Sequence, residues 1–288
     1  ANFETCCLSE IYLPNISSIE ELEDVAKLLY KVNKHSLMLQ CHHKETEGVV
    51  NKNMRMGIGV TGYLQASEEQ RGWLGGVYDT LREFDKEYSK AKGINHSIKL
   101  TTVKPSGTLS LLPGVTPGAH PAFSRYLIRR IRVAANSHLV DVVTDHGYPV
   151  EFVKRFDGTL DYSTVVAEFP MQFPEGTRLA RDMSAIDQLE VVKRLQSEWS
   201  DNAVSCTIYY KLEELPAIRE YLKHNYNKHF KSISFLLHSD HGFIQAPLEE
   251  ITEEEYNKRM SKVRPIKSVS NASFEADVEC EGGMCPIK

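Results

Sequence analysis

The apolar positions between residues 19 and 32 recur every three or four residues, which is the spacing of one face of a helix. Ser17 and Ser18 stand directly before this stripe, and Glu20 and Glu21 fall in its first turn. A hydroxyl side chain caps free N–H groups at a helix start, and acidic residues favour the same end. The pattern therefore predicts an amphipathic helix. Similar patterns predict helices at 68–90, 136–145 and 185–200.

Short runs rich in β-branched and aromatic residues alternate with these helical patterns. The predicted strands are residues 99–103, 164–169, 204–210 and 232–237. Strands that alternate with helices favour parallel βα units, so we expect an α/β fold.

Composition places the chain among ordinary globular proteins, with 288 residues, 41% hydrophobic and 25% charged residues, and a net charge of -5. This length suits one large domain or two small ones. The only basic cluster, within 125–132, is too short to indicate a nucleic-acid surface, so no nucleic-acid partner is expected. No apolar stretch approaches the roughly 18 residues of a membrane helix, so we expect no membrane partner and a cytoplasmic location.

Gly57, Gly59 and Gly62 have the GxGxxG spacing of a dinucleotide-binding turn. A lone match is weak, and no strand with an acidic residue about 20 positions later accompanies it. Binding of a nucleotide cofactor at this segment is therefore disfavoured.

Residues 101–110 form a predicted strand that runs into a turn of small, hydroxylated residues and glycine. Such a turn exposes successive N–H groups, and the hydroxyls of Ser106, Thr108 and Ser110 can add donors to a phosphate cradle. A plain strand-to-helix turn capped by serine explains the same residues equally well. The Pro/Gly-rich segment 112–121 follows, and long ordered loops tend to be functional.

The cysteines are Cys6, Cys7, Cys41, Cys206, Cys280 and Cys285. Their uneven spacing is not that of a disulfide-stapled secreted domain. Cys206 lies in an apolar run and is predicted to be a buried strand thiol, and Cys41 receives a similar structural interpretation.

The last two cysteines lie in a segment that is small and polar from about residue 268 and then acidic. Cys280 and Cys285 flank a Gly-Gly turn, so a flexible tail could carry them as a redox dithiol. A zinc site, which needs four ligands, and an inert tail are the weaker alternatives.

Together, several segments resemble one family, the large subunits of ribonucleotide reductases, and most closely their single-polypeptide cobalamin-dependent members. The segments lie at 3–11, 55–62, 104–110, 114–121, 129–132, 201–207 and 245–256. They cover essentially the whole chain in the family's order.

The resemblance implies the C-terminal half of the ten-stranded α/β barrel of ribonucleotide reductases, with a flexible C-terminal tail. Residues 1–265 would form this half-barrel and residues 266–288 the redox-active tail. The chain opens Ala-Asn-Phe without an initiator Met, which suggests an incomplete chain, although removal of Met before Ala would look the same. Half a barrel leaves open sheet edges and exposed apolar strand faces, so we expect a C-terminal part that is inactive alone and that either aggregates or depends on the missing N-terminal half of the barrel.

The resemblance also assigns roles. Cys6 matches the cysteine that forms a disulfide as substrate is reduced, with Cys7 as the alternative if the register shifts by one. Cys280 and Cys285 match the dithiol that re-reduces this disulfide before thioredoxin supplies electrons. The radical cysteine and its catalytic glutamate would lie upstream, and Glu10 does not match that glutamate. The substrate-phosphate loop would comprise Pro105, Ser106, Gly107, Thr108, Leu109 and Ser110.

The implied activity is reduction of ribonucleoside diphosphates or triphosphates to deoxyribonucleotides for DNA replication. Adenosylcobalamin is the implied cofactor, and no protein metal site is expected. No tyrosine pair resembling the radical relay of the two-subunit class is found near the C-terminus, which favours the cobalamin class. The alternatives are a catalytically incompetent module that completes a barrel and, less favoured, a free-standing thiol oxidoreductase.

Overall fold

A computed structural model of the chain describes residues 2–237 and 244–266. The strands are β1 (Cys7–Tyr12), β2 (Met56–Thr61), β3 (Thr101–Thr102), β4 (Tyr126–Ala134), β5 (Val150–Lys154), β6 (Leu160–Gln172), β7 (Thr207–Tyr210), β8 (Ser234–Leu237) and β9 (Leu248–Glu250). The helices are α1 (Ile19–Leu37), α2 (Lys44–Asn53), α3 (Glu68–Lys92), α4 (His138–Asp145), α5 (Ala185–Glu198), α6 (Leu215–His229) and α7 (Glu253–Met260). None of the described helices is both long enough and apolar enough to cross a bilayer.

The chain divides into two compact units. The first comprises Ala1–Ala122 with Glu175–Ser239, and the second comprises Phe123–Pro174 with Asp240–Lys288. The predicted boundary at residues 265 and 266 falls where the described residues end, so the proposed tail stays a prediction.

Parallel strands form the framework of the first unit. β1, β2 and β3 are hydrogen-bonded in that order, and β7 and β8 form a second parallel pair. A parallel bridge between Val103 and Val204 joins the end of β3 to the segment that leads into β7. The expected parallel βα arrangement is therefore present in this unit.

Helix starts follow the capping residues that the sequence supplies. The Ser18 side chain accepts a hydrogen bond from the Glu21 N–H at the start of α1. Ser67 and Gln70 form a reciprocal capping box at the start of α3. The predicted helices at 19–32, 68–90, 136–145 and 185–200 are confirmed, with ends shifted by a few residues.

The two faces of the first sheet differ in what covers them. Met56, Ile58 and Val60 of β2 are fully buried and belong to the core that also contains apolar residues of α1, α3 and α5. Side chains alternate along a strand, so Gly57 and Gly59 belong to the opposite face. We call the face with Met56, Ile58 and Val60 the helix face, and the face with Gly57 and Gly59 the open face. The glycine run at 57–62 is thus a strand and its end, not a turn between a strand and a helix.

The second unit is an antiparallel sheet in the order β5-β6-β4-β9. The predicted strand at 164–169 lies inside β6, so the expectation of parallel pairing is wrong for this strand. Alternation along a strand does not reveal the direction of its partner, which explains the error. The basic cluster is partly neutralised here, because Arg130 forms ion pairs with Glu168 at 2.8 Å and Glu249 at 2.5 Å.

Candidate functional site

The predicted phosphate loop follows the carboxyl end of β3 directly. Ser106 has a φ of 52°, in the left-handed region that is uncommon for residues other than glycine. Its hydroxyl is buried and has no hydrogen-bond partner among the described residues. Thr108 and Leu109 are exposed, whereas Ser110 is buried at the base of a short 3-10 turn. An unsatisfied hydroxyl beside an exposed turn is a suitable arrangement for an anion.

A second loop, the Pro/Gly-rich segment 112–121, packs against the backbone at the start of the phosphate loop. Gly118 has a φ of +55°, and a Cβ at this position would lie 2.1 Å from the Lys104 carbonyl oxygen. Only glycine permits this approach without a backbone shift. The Gly118 N–H donates to the Thr61 hydroxyl at 2.6 Å, and the Gly62 N–H donates to the Thr116 carbonyl at 2.8 Å. Both loops are therefore fixed at the carboxyl end of the parallel sheet.

His120 ties this segment to β7. Its Nε2 lies 3.0 Å from the Thr207 nitrogen and accepts that N–H, and its Nδ1 lies 3.0 Å from the Pro117 carbonyl oxygen. The proton of the neutral ring is therefore on Nδ1. Burial lowers the pKa of His120, which favours this neutral form.

The two neighbouring cysteines at the start of β1 belong to different faces. Cys7 packs against the core on the helix face. Leu8 pairs with Gly57, and Glu10 pairs with Gly59, so these residues share the open face. Cys6 precedes Cys7 and, by alternation along the strand, lies on the side of Leu8 and Glu10. Of these two cysteines, Cys6 is therefore the one on the side of the open face, which also carries Glu10 and Lys104.

Burial and a nearby cation act on the Cys6 thiol in opposite directions. Burial raises the pKa of Cys6 to about 11, although the positive charge of Arg55 counteracts part of this effect. The Arg55 guanidinium lies 2.9 Å from the Glu4 carboxylate and 3.0 Å from the Asn202 side-chain oxygen. The hydrogen bond from Arg55 is the main reason that the pKa of Glu4 falls to about 2. Sequence reasoning missed Arg55, because only strand register brings it beside Cys6.

A partly buried ion pair lies on the open face between these groups. Lys104 Nζ is 3.2 Å from Glu10 Oε2, and the side chains are 21% and 2% exposed, respectively. Neither oxygen of the Glu10 carboxylate has a hydrogen-bond partner within the described residues. A Cβ on Gly59 would lie 3.4 Å from Lys104 Cε and 3.8 Å from Glu10 Cγ, so the pair extends across β2 at this glycine. This pair was also missed, since the residues are distant in sequence.

Cys6 and the phosphate loop lie at opposite ends of the sheet. Ile58 pairs with Ser9 on one side and Thr101 on the other. Cys6 lies three residues before this level and Pro105 four residues after it. At about 3.3 Å per residue this offset is roughly 23 Å along the strands. A ligand that reaches both must lie along the open face, over Gly59 and the Lys104–Glu10 pair.

Of the four remaining cysteines, the structure describes Cys41 and Cys206. Cys280 and Cys285 lie outside the described residues. Cys206 is buried, as predicted, and burial raises its pKa to about 12. Cys41 follows α1, and it forms no disulfide among the described residues.

Comparison with known proteins decides the family. The family described as "Ribonucleotide reductase, barrel domain" matches residues 79–236, which is more than half of the chain. The chain belongs to this ribonucleotide reductase family. Its parallel sheet is therefore part of the reductase barrel, and the expected fold class is confirmed.

Similar reductases carry the name adenosylcobalamin-dependent ribonucleoside-triphosphate reductase. The Euglena gracilis protein is 35% identical over 96% of this chain and 38% of its own length. The Dictyostelium discoideum protein, named as a probable reductase of this kind, is 32% identical over 99% of this chain and 39% of its own length. The chain thus spans about two fifths of the curated relatives that it matches.

Solved structures give the same result for the reductase fold. A crystal structure of a B12-dependent, class II ribonucleotide reductase matches with a TM-score of 0.77 and 28% identity, covering 91% of this chain and 41% of that one. The class Id α subunit from Actinobacillus ureae matches with a TM-score of 0.51 at 14% identity, covering 81% of this chain and 50% of that one, and shows the fold alone.

Proposed function

We propose that this chain forms part of an adenosylcobalamin-dependent ribonucleotide reductase and supplies its phosphate loop and redox thiols. The observation that carries the proposal is the open face, which has Cys6 at its amino end and, at its carboxyl end, Lys104, the residue that leads into the 105–110 loop. The names of the relatives support a ribonucleoside triphosphate as substrate. Cytoplasmic deoxyribonucleotide synthesis for DNA replication would be the biological role.

The phosphate loop would bind and orient the substrate. Backbone N–H groups around Gly107 and the hydroxyls of Ser106 and Thr108 would donate to phosphate oxygens. The ribose would then lie along the open face toward Cys6. Such positioning matters in radical chemistry, because a misplaced substrate gives side reactions.

Cys6 would supply electrons together with a thiol of another part of the enzyme. As the ribose 2′-hydroxyl leaves as water, these two thiols would lose two electrons and form a disulfide. Cys280 and Cys285 would reduce this disulfide by thiol exchange, and thioredoxin or a similar dithiol would reduce them in turn. The position of Cys7 in the helix-face core supports Cys6 over Cys7 for this role.

The cofactor is proposed from the names of the relatives, which are adenosylcobalamin-dependent reductases. Within residues 2–237 and 244–266, no group of three or more His, Cys, Asp or Glu side chains could hold a metal ion. When bound, adenosylcobalamin would supply the radical that starts the reaction, and this chain's residues would hold the substrate.

Reconstitution tests the proposal. The chain would be mixed with, or joined to, a polypeptide that carries the rest of the barrel and the radical cysteine, and deoxynucleotide formation measured with and without adenosylcobalamin. We expect cobalamin-dependent product, its loss in Cys6→Ser and its retention in Cys7→Ser. Cys280→Ser and Cys285→Ser should fail with thioredoxin but work with a small dithiol.

Other results would redirect the proposal. Activity that ignores cobalamin but needs a second metal-radical subunit would place the chain in another reductase class. A complex that forms but shows no reduction under any condition would favour the incompetent barrel-completing module.

A further inference from the structure

The Lys104–Glu10 pair lies where the substrate's phosphates would approach the sheet. Lys104 is the residue immediately before the 105–110 loop, and its Nζ is 3.2 Å from Glu10 Oε2. Both residues lie beside Gly59, whose missing side chain leaves room for the pair to cross β2. The pair is therefore adjacent to the phosphate loop and on the same face as Cys6.

The pair is incompletely satisfied in this structure. Glu10 is 2% exposed, yet neither of its carboxylate oxygens has a hydrogen bond among the described residues, and Lys104 approaches at ion-pair distance without hydrogen-bond geometry. Desolvation of a carboxylate and an ammonium group is costly, and a single off-angle contact recovers little of that cost. Such an arrangement stabilises the fold weakly, so the ammonium group is held loosely.

The Lys104 side chain is also partly accessible to solvent. Its side chain is 21% exposed, ten times the fraction of Glu10. A multiply charged phosphate at the loop would attract this cation more strongly than the single charge of Glu10 does. Rotation about the flexible lysine stem could transfer the ammonium group between the two anions without movement of the backbone.

We propose that Lys104 is a phosphate ligand of the substrate site and that Glu10 holds it until the polyphosphate of the substrate arrives. This inference rests on the proposed role of the 105–110 loop. Glu10 then acts as a positioning residue that competes with the substrate for one cation. The pair lowers the affinity for weakly charged anions and favours ligands with several phosphate groups.

Binding of inorganic tripolyphosphate to the 288-residue chain tests the inference by calorimetry at fixed ionic strength, with pyrophosphate as the less charged probe. Lys104→Met should weaken tripolyphosphate binding about tenfold, the loss expected for one charge-assisted contact. Glu10→Gln should strengthen binding by about threefold or more, because it removes the competing anion. In the Lys104→Met background, Glu10→Gln should change affinity by less than about twofold, since the two effects act through one contact.

Two matched controls separate a local effect from general charge. Lys99→Met removes the same charge near Asp201 at the amino end of the sheet, 4.0 Å from that carboxylate, and should leave binding unchanged. Lys104→Arg keeps the charge and should retain most of the affinity. Circular dichroism would show whether each variant is folded, and if Lys104→Met is not, Glu10→Gln decides the question alone.

The outcomes distinguish this inference from the proposed function. If Ser106→Ala weakens binding while Lys104→Met and Glu10→Gln bind like the wild type, the loop assignment stands and the inference is overturned. Weaker or unchanged binding by a folded Glu10→Gln chain also overturns it. If the wild-type chain binds neither probe, the phosphate-loop proposal fails and the inference fails with it.

Discussion

Two lysine–carboxylate pairs, a fully buried one on the helix face and a partly buried one on the open face, differ in how fully they are hydrogen-bonded. On the helix face, Lys34 of α1 lies 3.0 Å from Asp85 of α3, and the side chains are 0% and 2% exposed. On the open face, Lys104 lies 3.2 Å from Glu10. The chemical groups are alike, and the difference lies in the partners around them.

The Lys34–Asp85 pair is saturated. Lys34 also donates to the Asn95 carbonyl and the Ser97 hydroxyl, each at 2.9 Å. Asp85 also accepts from the Tyr30 hydroxyl at 2.7 Å and from the Ser97 N–H at 3.0 Å. The Glu10 carboxylate, by contrast, has no hydrogen-bond partner among the described residues. A saturated pair fixes two helices in one arrangement, whereas an unsaturated pair retains the capacity to bind something else.

The largest effect that would test this contrast is expected at Asp85. Asp85→Asn would leave Lys34 as a buried cation without its counter-charge, and we expect a loss of about 3–5 kcal/mol in the free energy of unfolding. Urea denaturation followed by circular dichroism at neutral pH measures it. A loss below about 1 kcal/mol would mean that saturation does not distinguish the two pairs.

The pH dependence of the same pair has a definite sign. Burial alone would raise the pKa of Asp85, but hydrogen bonds and charge from Tyr30, Lys34 and Ser97 outweigh it, so the pKa is lowered. A carboxyl with a lowered pKa in the folded state stabilises the fold above its unfolded value, near 4, and that contribution is lost as the pH falls through the folded value. The wild-type chain should show this acid-side loss, and Asp85→Asn should lack it.

A smaller effect of opposite sign is expected at Glu10. Glu10→Gln replaces a buried charge without hydrogen bonds by a neutral group of the same shape, and leaves Lys104 able to reach water. We expect an unfolding free energy that is unchanged or higher by about 1 kcal/mol. Urea titrations of the two variants side by side give the comparison. Destabilisation of Glu10→Gln comparable to that of Asp85→Asn would show that both pairs are structural.

The sequence predicts the helix face better than the open face. The stripes of α1 and α3 and the caps Ser18 and Ser67 are local signals, and the structure agrees with them. β1 and β2 were not predicted as strands. β1 mixes polar and apolar residues without a clear alternation, and β2 contains Gly57 and Gly59, which are unfavourable in a strand by intrinsic propensity. Strand partners are set by contacts distant in sequence, which also explains the error over β6.

The candidate site was predictable from sequence only where its functional residues are consecutive in one segment. The 105–110 loop has a recognisable pattern of small and hydroxylated residues, and the resemblance to reductases assigns it a role. The Lys104–Glu10 contact and the position of Arg55 beside Cys6 depend on the register of β1 against β2. Register likewise supports Cys6 over Cys7, a choice that the sequence left open.

The smallest expected effects concern these two cysteines and test the assignment of faces. Cys7→Ser would place a hydroxyl against the helix-face core and should cost about 1 kcal/mol, whereas Cys6→Ser should change the unfolding free energy by less than about 0.5 kcal/mol.

Because burial raises the pKa of Cys6 to about 11, the thiol is mostly protonated at neutral pH and its alkylation rate should still be rising at pH 10. Arg55→Met removes the charge that favours the thiolate, so it should slow alkylation of Cys6 more than that of Cys7. Peptide-resolved mass spectrometry after timed iodoacetamide labelling measures both thiols in one sample. Equal slowing at the two positions, or a larger stability loss for Cys6→Ser, would mean that Cys6 is not the thiol of the open face.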